Sequence, residues 1–306
     1  MDIFRNLAHD IGTKLPGLEV LEEEHMSTYT SFKIGGPAAV LVIPKSPQEL
    51  KALLELLYDA GISPLILGNG TNLLVTDEPL RRIVVKLGEG IAGIELLDET
   101  TILAQAGAPL SKVAAFAWSQ GLGGLEFAHG IPGTVGGAVM MNAGAYDGEI
   151  KNVVSESAYL LPDGTDGVLS GDEQAFSYRR SAYSDSDKII TSARFELRRD
   201  NPAKIIEKMN EFAQKRRDSQ PLDKPSAGSA FKRPPGGYAA ALIDEAGLRG
   251  YSVGGAQVSP KHAGFIVNNG SATFNDVISL IEYVKEQVFA HSGVMLDPEI
   301  KIIQNR

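Results

Sequence analysis

Gly124-Leu-Glu-Phe-Ala-His-Gly-Ile-Pro-Gly-Thr-Val-Gly-Gly-Ala-Val-Met-Met-Asn-Ala-Gly-Ala-Tyr146 is apolar and glycine-rich at once. Flexible glycine linkers are polar, so this composition points to irregular backbone folded into the interior. Nine of the 28 positions 121–148 are glycine, well above an average near 7%. Backbone buried without regular structure must still pair its N–H and C=O groups. A polar ligand is one partner for them, and glycine lets the chain come close to it. The bland reading is a tight strand-to-helix connection.

Outward from this stretch the pattern is mixed α and β. On its N-terminal side a helix is predicted over 47–60, with Ser46 as cap, Pro47 at the first helical position, and Leu50, Leu53, Leu54 and Leu57 on one face before Gly61. Strand-like runs follow at 64–67, 82–87, 94–97 and 101–105, then a helix over 110–119. On the C-terminal side strands return at 153–161 and 189–197. The character changes near Asp200-Asn201-Pro202, where an amphipathic helix over 203–217 starts; Gln220-Pro221 closes it. The remainder alternates, with helices near 238–246 and 274–290 and strands near 254–258, 265–267 and 300–303. That alternation suits a small α/β domain.

Bulk composition narrows the chemistry. A chain of 306 residues is expected to hold two or three packing units. It contains no cysteine, which removes disulfides, thiolate ligands, iron–sulfur clusters and a cysteine nucleophile together. A formal charge of −9 argues against nucleic acid as a partner. No apolar run approaches the roughly 20 residues of a membrane span, and Asp2, Arg5, His9 and Asp10 interrupt the N-terminus where a signal peptide would be apolar. The expectation is a cytoplasmic protein with no membrane partner. The five histidines are scattered and no His-Glu-x-x-His occurs, so no metal site is expected.

Several short segments carry possible chemistry. Gly88-Glu89-Gly90-Ile91-Ala92-Gly93 fits G-x-G-x-x-G but leads into another strand pattern instead of a helix, so it reads as a glycine turn. Gly68-Asn69-Gly70-Thr71-Asn72 follows a strand and can form an anion-binding nest, or simply a glycine turn. Gly130-Ile131-Pro132-Gly133-Thr134-Val135-Gly136-Gly137 offers the same chemistry at greater length. In Tyr178-Arg179-Arg180-Ser181 a guanidinium can clamp a carboxylate or phosphate, though arginine pairs are usually solvated. Gly228-Ser229 places a hydroxyl before Lys232 and Arg233, or is a loop whose serine bonds its own backbone. Glu299 enters the last strand, where carboxylates are mostly solvated but some are functional.

Taken in order, these segments resemble the UDP-N-acetylenolpyruvoylglucosamine reductase family. The resemblance runs from about 28 to 303. It is carried by Thr30-Ser31-Phe32-Lys33-Ile34-Gly35-Gly36-Pro37-Ala38, 67–74, 124–148, Tyr178-Arg179-Arg180-Ser181, Gly228-Ser229 with Phe231-Lys232-Arg233-Pro234, and Pro298-Glu299. It implies an α+β fold: a two-part FAD-binding domain of the vanillyl-alcohol-oxidase (PCMH) type over 1–84 and 85–199, plus a small α/β substrate-binding domain over 200–306. It implies non-covalent FAD, NADPH as co-substrate, and a small nucleotide-sugar substrate whose enolpyruvyl group is reduced. On the same resemblance, Gly68, Asn69, Gly70, Thr71, Asn72, Gly130, Ile131, Pro132, Gly133, Thr134, Gly136, Gly137 and Asn142 hold the cofactor. Arg179, Ser229 and Glu299 are the catalytic set, and Tyr178, Lys232 and Arg233 meet the substrate. The short spacing after Arg179 indicates the subclass without a capping insertion. Asp147 stands where the family pattern has glycine, which matters if that turn needs positive φ. A sugar or alcohol oxidase on the same scaffold is the alternative, with His129 placed near the flavin, and a nucleotide-binding module without turnover is a third.

Overall fold

The computed structural model describes residues 3–305. The chain forms two compact units, each assembled from separated segments. The first takes the chain up to Glu22, Val40–Asn69 and Arg82–Lys215; the second takes Glu23–Ala39, Gly70–Arg81 and everything from Arg216 on. The spans 1–84, 85–199 and 200–306 are consecutive, whereas these units are interleaved. The helix expected to open a new domain does start at Pro202, but the change of unit falls inside it, after Lys215.

In the first unit a five-stranded antiparallel sheet runs in the order Asp166–Ser170, Val154–Leu160, Ile189–Glu196, Thr101–Gln105, Ile94–Leu96. Strand Leu65–Leu67 pairs in parallel with residues 84–86. Helix Pro47–Asp59 starts as its sequence requires, with the Ser46 side chain accepting from the Glu49 N–H, and its four expected leucines are buried. Each buried leucine contributes roughly 1.5–3 kcal/mol, and Leu53→Ala would leave a cavity costing about 2–5 kcal/mol. Helix Leu110–Ser119 has the expected bounds. Helix Ile3–Lys14 was not anticipated: its apolar stripe is only Leu7, Ala8 and Ile11, diluted by exposed charges. The residues after Gly88 form a single helical turn and then strand Ile94–Leu96, so the glycine fingerprint there opens no helix.

The second unit carries a four-stranded antiparallel sheet ordered Ser226–Ser229, Phe265–Asn268, Ala256–Val258, Ser252–Val253. Helix Phe274–Ser292 is bounded by a Thr273/Asp276 capping box and by Gly293 in the left-handed conformation. Its stripe of Val277, Leu280, Ile281, Val284 and Val288 is buried with Ile243, Val258 and Ile266. Strand Lys301–Ile303 pairs in parallel with Leu73–Val75. That pairing brings the segment after Glu299 beside the one after Asn72.

Candidate active site

The two glycine loops lock onto each other within the first unit. Asn69 Nδ2 donates to the Pro132 carbonyl at 3.0 Å. Gly68 has no room for a side chain, since a Cβ there would lie 2.5 Å from Thr134 Oγ1. Thr134 also caps the short helix Val135–Met140, accepting from the Gly137 N–H. This helix was not expected, because Gly136 and Gly137 are poor helix formers. The Gly136 N–H donates to the Ala106 carbonyl at 2.9 Å and the Val135 N–H to Ala108. A Cβ on Gly136 would lie 3.1 Å from the Ala106 Cβ, so glycine here lets the helix start pack against Ala106. Gly70, Thr71 and Asn72 fall in the second unit, where the Gly70 carbonyl accepts from the Ser31 N–H at 3.1 Å.

Asn142, fully buried, commits its side chain to protein. Nδ2 donates to Glu149 Oε2 and to the Ser177 carbonyl, both at 3.0 Å, and Oδ1 accepts from the Lys151 N–H at 3.0 Å. Both amide hydrogens of this residue, expected among the cofactor residues, are thus used within the protein. Ser177 and Arg180 exchange two backbone hydrogen bonds, so Tyr178 and Arg179 form the tip of a tight turn. Arg179 sits there at φ 57°, a left-handed conformation that disfavours L side chains by about 1–2 kcal/mol. Its guanidinium lies 4.9 Å from the Tyr178 ring centroid. Backbone strain of this kind concentrates at functional positions. The following chain is anchored by Ser181 Oγ on the Met140 carbonyl and by the buried Tyr183 hydroxyl, 2.7 Å from Ser157 Oγ.

Ser229 and Glu299 lie on neighbouring segments of the second unit. The Glu299 N–H donates to the Ala230 carbonyl at 2.9 Å, and Phe231 bridges to Pro298. A register shift between Ser226 and Ser229, with Gly228 at φ 76°, turns Ser229 outward, and it is exposed. Asn72, expected among the cofactor residues, donates one side-chain hydrogen bond to the Glu299 carbonyl at 3.2 Å. Two expected substrate contacts are also engaged within the unit. Lys232 Nζ pairs with Asp297 Oδ2 at 2.5 Å, and Arg233 lies over the Tyr238 ring at 4.4 Å. Arg179 and Tyr178 belong to the first unit, whereas Ser229, Lys232, Arg233 and Glu299 belong to the second.

The residues of the first unit suit a polar, nucleotide-containing cofactor. His129, next to the second glycine loop, keeps its Nδ1 buried without a protein hydrogen-bond partner. Such an atom costs about 1–3 kcal/mol unless something satisfies it. Among the described residues no three His, Asp or Glu side chains gather as metal ligands, and no helix is long and apolar enough to cross a membrane.

Comparison with known proteins places this geometry. Residues 38–166 match the family described as FAD binding domain. A solved alkyldihydroxyacetonephosphate synthase, 16% identical, shares the fold at a TM-score of 0.50 over 65% of this chain and 41% of its own. The class is that of flavoproteins on the vanillyl-alcohol-oxidase (PCMH) type of α+β scaffold. Residues 220–303 match the family described as UDP-N-acetylenolpyruvoylglucosamine reductase, C-terminal domain. The reductase of that name from Caldanaerobacter subterraneus subsp. tengcongensis is 50% identical over 93% of this chain and 96% of its own. The one from Clostridioides difficile is 42% identical over 99% and 98%. A crystal structure of the Thermus caldophilus reductase superposes with a TM-score of 0.80 at 35% identity, over 94% of this chain and 99% of that one. The chain belongs to the UDP-N-acetylenolpyruvoylglucosamine reductase family.

Proposed function

We propose that this protein uses non-covalently bound FAD and NADPH to reduce the enolpyruvyl group of UDP-N-acetylglucosamine-enolpyruvate, giving UDP-N-acetylmuramate in a cytoplasmic step of peptidoglycan synthesis. The observation that carries this reading is the 50% identity to a reductase of that name across 93% of the chain. When bound, FAD supplies a two-electron relay between NADPH and the substrate. The interlocked loops at Gly68–Asn69 and Pro132–Thr134 support its binding. We assign the flavin domain to 1–84 and 85–199 and the substrate domain to 200–306.

The residue roles follow from where charge develops. Hydride addition to a vinyl ether conjugated with a carboxylate puts negative charge on the neighbouring carbon and the carboxylate, and poised cations and donors lower that barrier. Arg179, held at the tip of a strained turn, is the stabilising cation. Ser229, outward-facing at its bulge, is the proton donor to that carbon, and Glu299 on the adjacent segment supplies the third catalytic group. Tyr178 stacks under Arg179 and orients it. Lys232 contributes a cation for the substrate once it is released from its pair with Asp297.

The test separates the half-reactions. In Ser229→Ala, reduction of the flavin by NADPH continues at the wild-type rate, whereas product formation slows by about 10²-fold or more. Unchanged product formation removes Ser229 as donor. Reoxidation of the wild-type flavin by oxygen but not by the enolpyruvyl sugar nucleotide would replace the reductase with an oxidase.

A further inference from the structure

Glu149 stands in the first unit beside the turn that presents Arg179, and no role in the reaction described above falls to it. Its Oε2 accepts from Asn142 Nδ2 and from Lys151 Nζ, both at 3.0 Å. The other Asn142 amide hydrogen goes to the Ser177 carbonyl, at the base of the Tyr178-Arg179 turn, and Oδ1 takes the Lys151 N–H. One fully buried amide thus fixes a carboxylate and the foot of the catalytic turn in a single frame. We propose that Glu149 is a positioning residue for Arg179, acting through its charge on the guanidinium and through Asn142 on the turn. The proposal rests on the role given to Arg179 above.

The charge balance explains why a carboxylate beside a catalytic arginine does not disable it. Lys151 matches the charge of Glu149, so the trio of Lys151, Glu149 and Arg179 keeps one net positive charge for an incoming carboxylate. The hydrogen bond from Lys151, that from Asn142 and the nearby charges of Lys151 and Arg179 together hold the Glu149 carboxyl below its usual range, so it stays ionised at neutral pH. An ionised, doubly bonded carboxylate has a defined place, from which its charge acts on the Arg179 guanidinium while Asn142 holds the foot of the turn. The placement of Arg179 matters because small misplacements of a reacting pair cost about 10²-fold in rate.

The experiment is a double-mutant cycle on the full-length FAD-loaded protein, reading the two half-reactions by stopped flow. Glu149→Gln keeps the size and a hydrogen-bond acceptor but removes the charge. Flavin content and reduction by NADPH are expected to stay within about twofold of wild type, while reoxidation by the enolpyruvyl sugar nucleotide slows by about tenfold or more. Glu149→Asp is expected to recover part of that loss, which a purely structural role would not reproduce. In an Arg179→Gln background, Glu149→Gln should add less than about twofold, because the group it positions is gone. Full additivity of the two substitutions, or wild-type reoxidation in Glu149→Gln, overturns the proposal. If Glu149→Gln does not take up flavin, Glu149→Asp carries the same cycle. Normal reoxidation in Arg179→Gln alone would instead remove the role of Arg179, an outcome distinct from failure of Glu149.

Discussion

Asn69 Nδ2 and the Pro132 carbonyl, 63 residues apart in the chain, are joined by a 3.0 Å hydrogen bond that fastens one glycine loop to the other. A net hydrogen bond of this kind contributes about 0.5–1.5 kcal/mol. Asn69→Ala should therefore weaken FAD binding by up to about tenfold while leaving the fold intact. Fluorescence titration of apoprotein with FAD measures this; unchanged affinity would mean that the bond does not shape the cofactor site.

Tyr146 and Asp147 both have positive φ, 51° and 63°, between the paired residues Ala145 and Gly148. The turn thus needs the conformation in which glycine is least strained. Asp147→Gly should raise stability by about 0.5–1 kcal/mol, seen as a higher urea midpoint with an unchanged m-value. A lower midpoint would show that the Asp147 side chain contributes more than its backbone strain removes.

Arg179 is held at φ 57° at a turn tip. Arg179→Ala and Arg179→Gly both delete the guanidinium, so both should slow the second half-reaction by about 10²-fold or more. The glycine variant should nonetheless be more stable than the alanine variant by about 1 kcal/mol. Equal urea denaturation curves for the two would rule out stored strain at this position.

His262 Nδ1 accepts from the Gly264 N–H at 3.1 Å, and its ring meets Phe265 edge-on at 5.0 Å. Burial first, and the charge of Arg249 after it, push its pKa below the ordinary histidine value. The unfolded chain takes up this proton near pH 6.5, whereas the folded chain resists it until the pH is lower. The stabilisation is complete above about pH 6.5 and is lost as pH falls from there through the folded pKa. His262→Gln should flatten the dependence of melting temperature on pH between about 5 and 6.5. A wild-type slope in that variant would assign the titration elsewhere.

Legibility differed between elements for physical reasons. Helix Pro47–Asp59 could be read to within a residue because cap, proline and leucine period agree over three turns. Strand Asp166–Ser170 escaped, since it alternates exposed and half-buried positions and carries a glycine. Helix Val135–Met140 escaped because two glycines at its start look like loop. Among site residues, the roles proposed for Arg179, Ser229 and Glu299 come from the family resemblance that their motifs carry. The engagement of Asn142, Asn72 and Lys232 with Glu149, Glu299 and Asp297 was not legible in the sequence, because those partnerships depend on which loops pack together.

Periodicity, caps and clustered glycine are local properties, so the mixed α and β character, the glycine loops and the order of the motifs were settled by the amino-acid string alone. Long-range pairing belongs to the folded chain. Only there does Asn69 meet Pro132, does Arg179 take a left-handed backbone, and do segments 23–39 and 70–81 join the C-terminal unit. Hydrogen bonds between distant residues and the strain they sustain arise from packing, which no local pattern encodes.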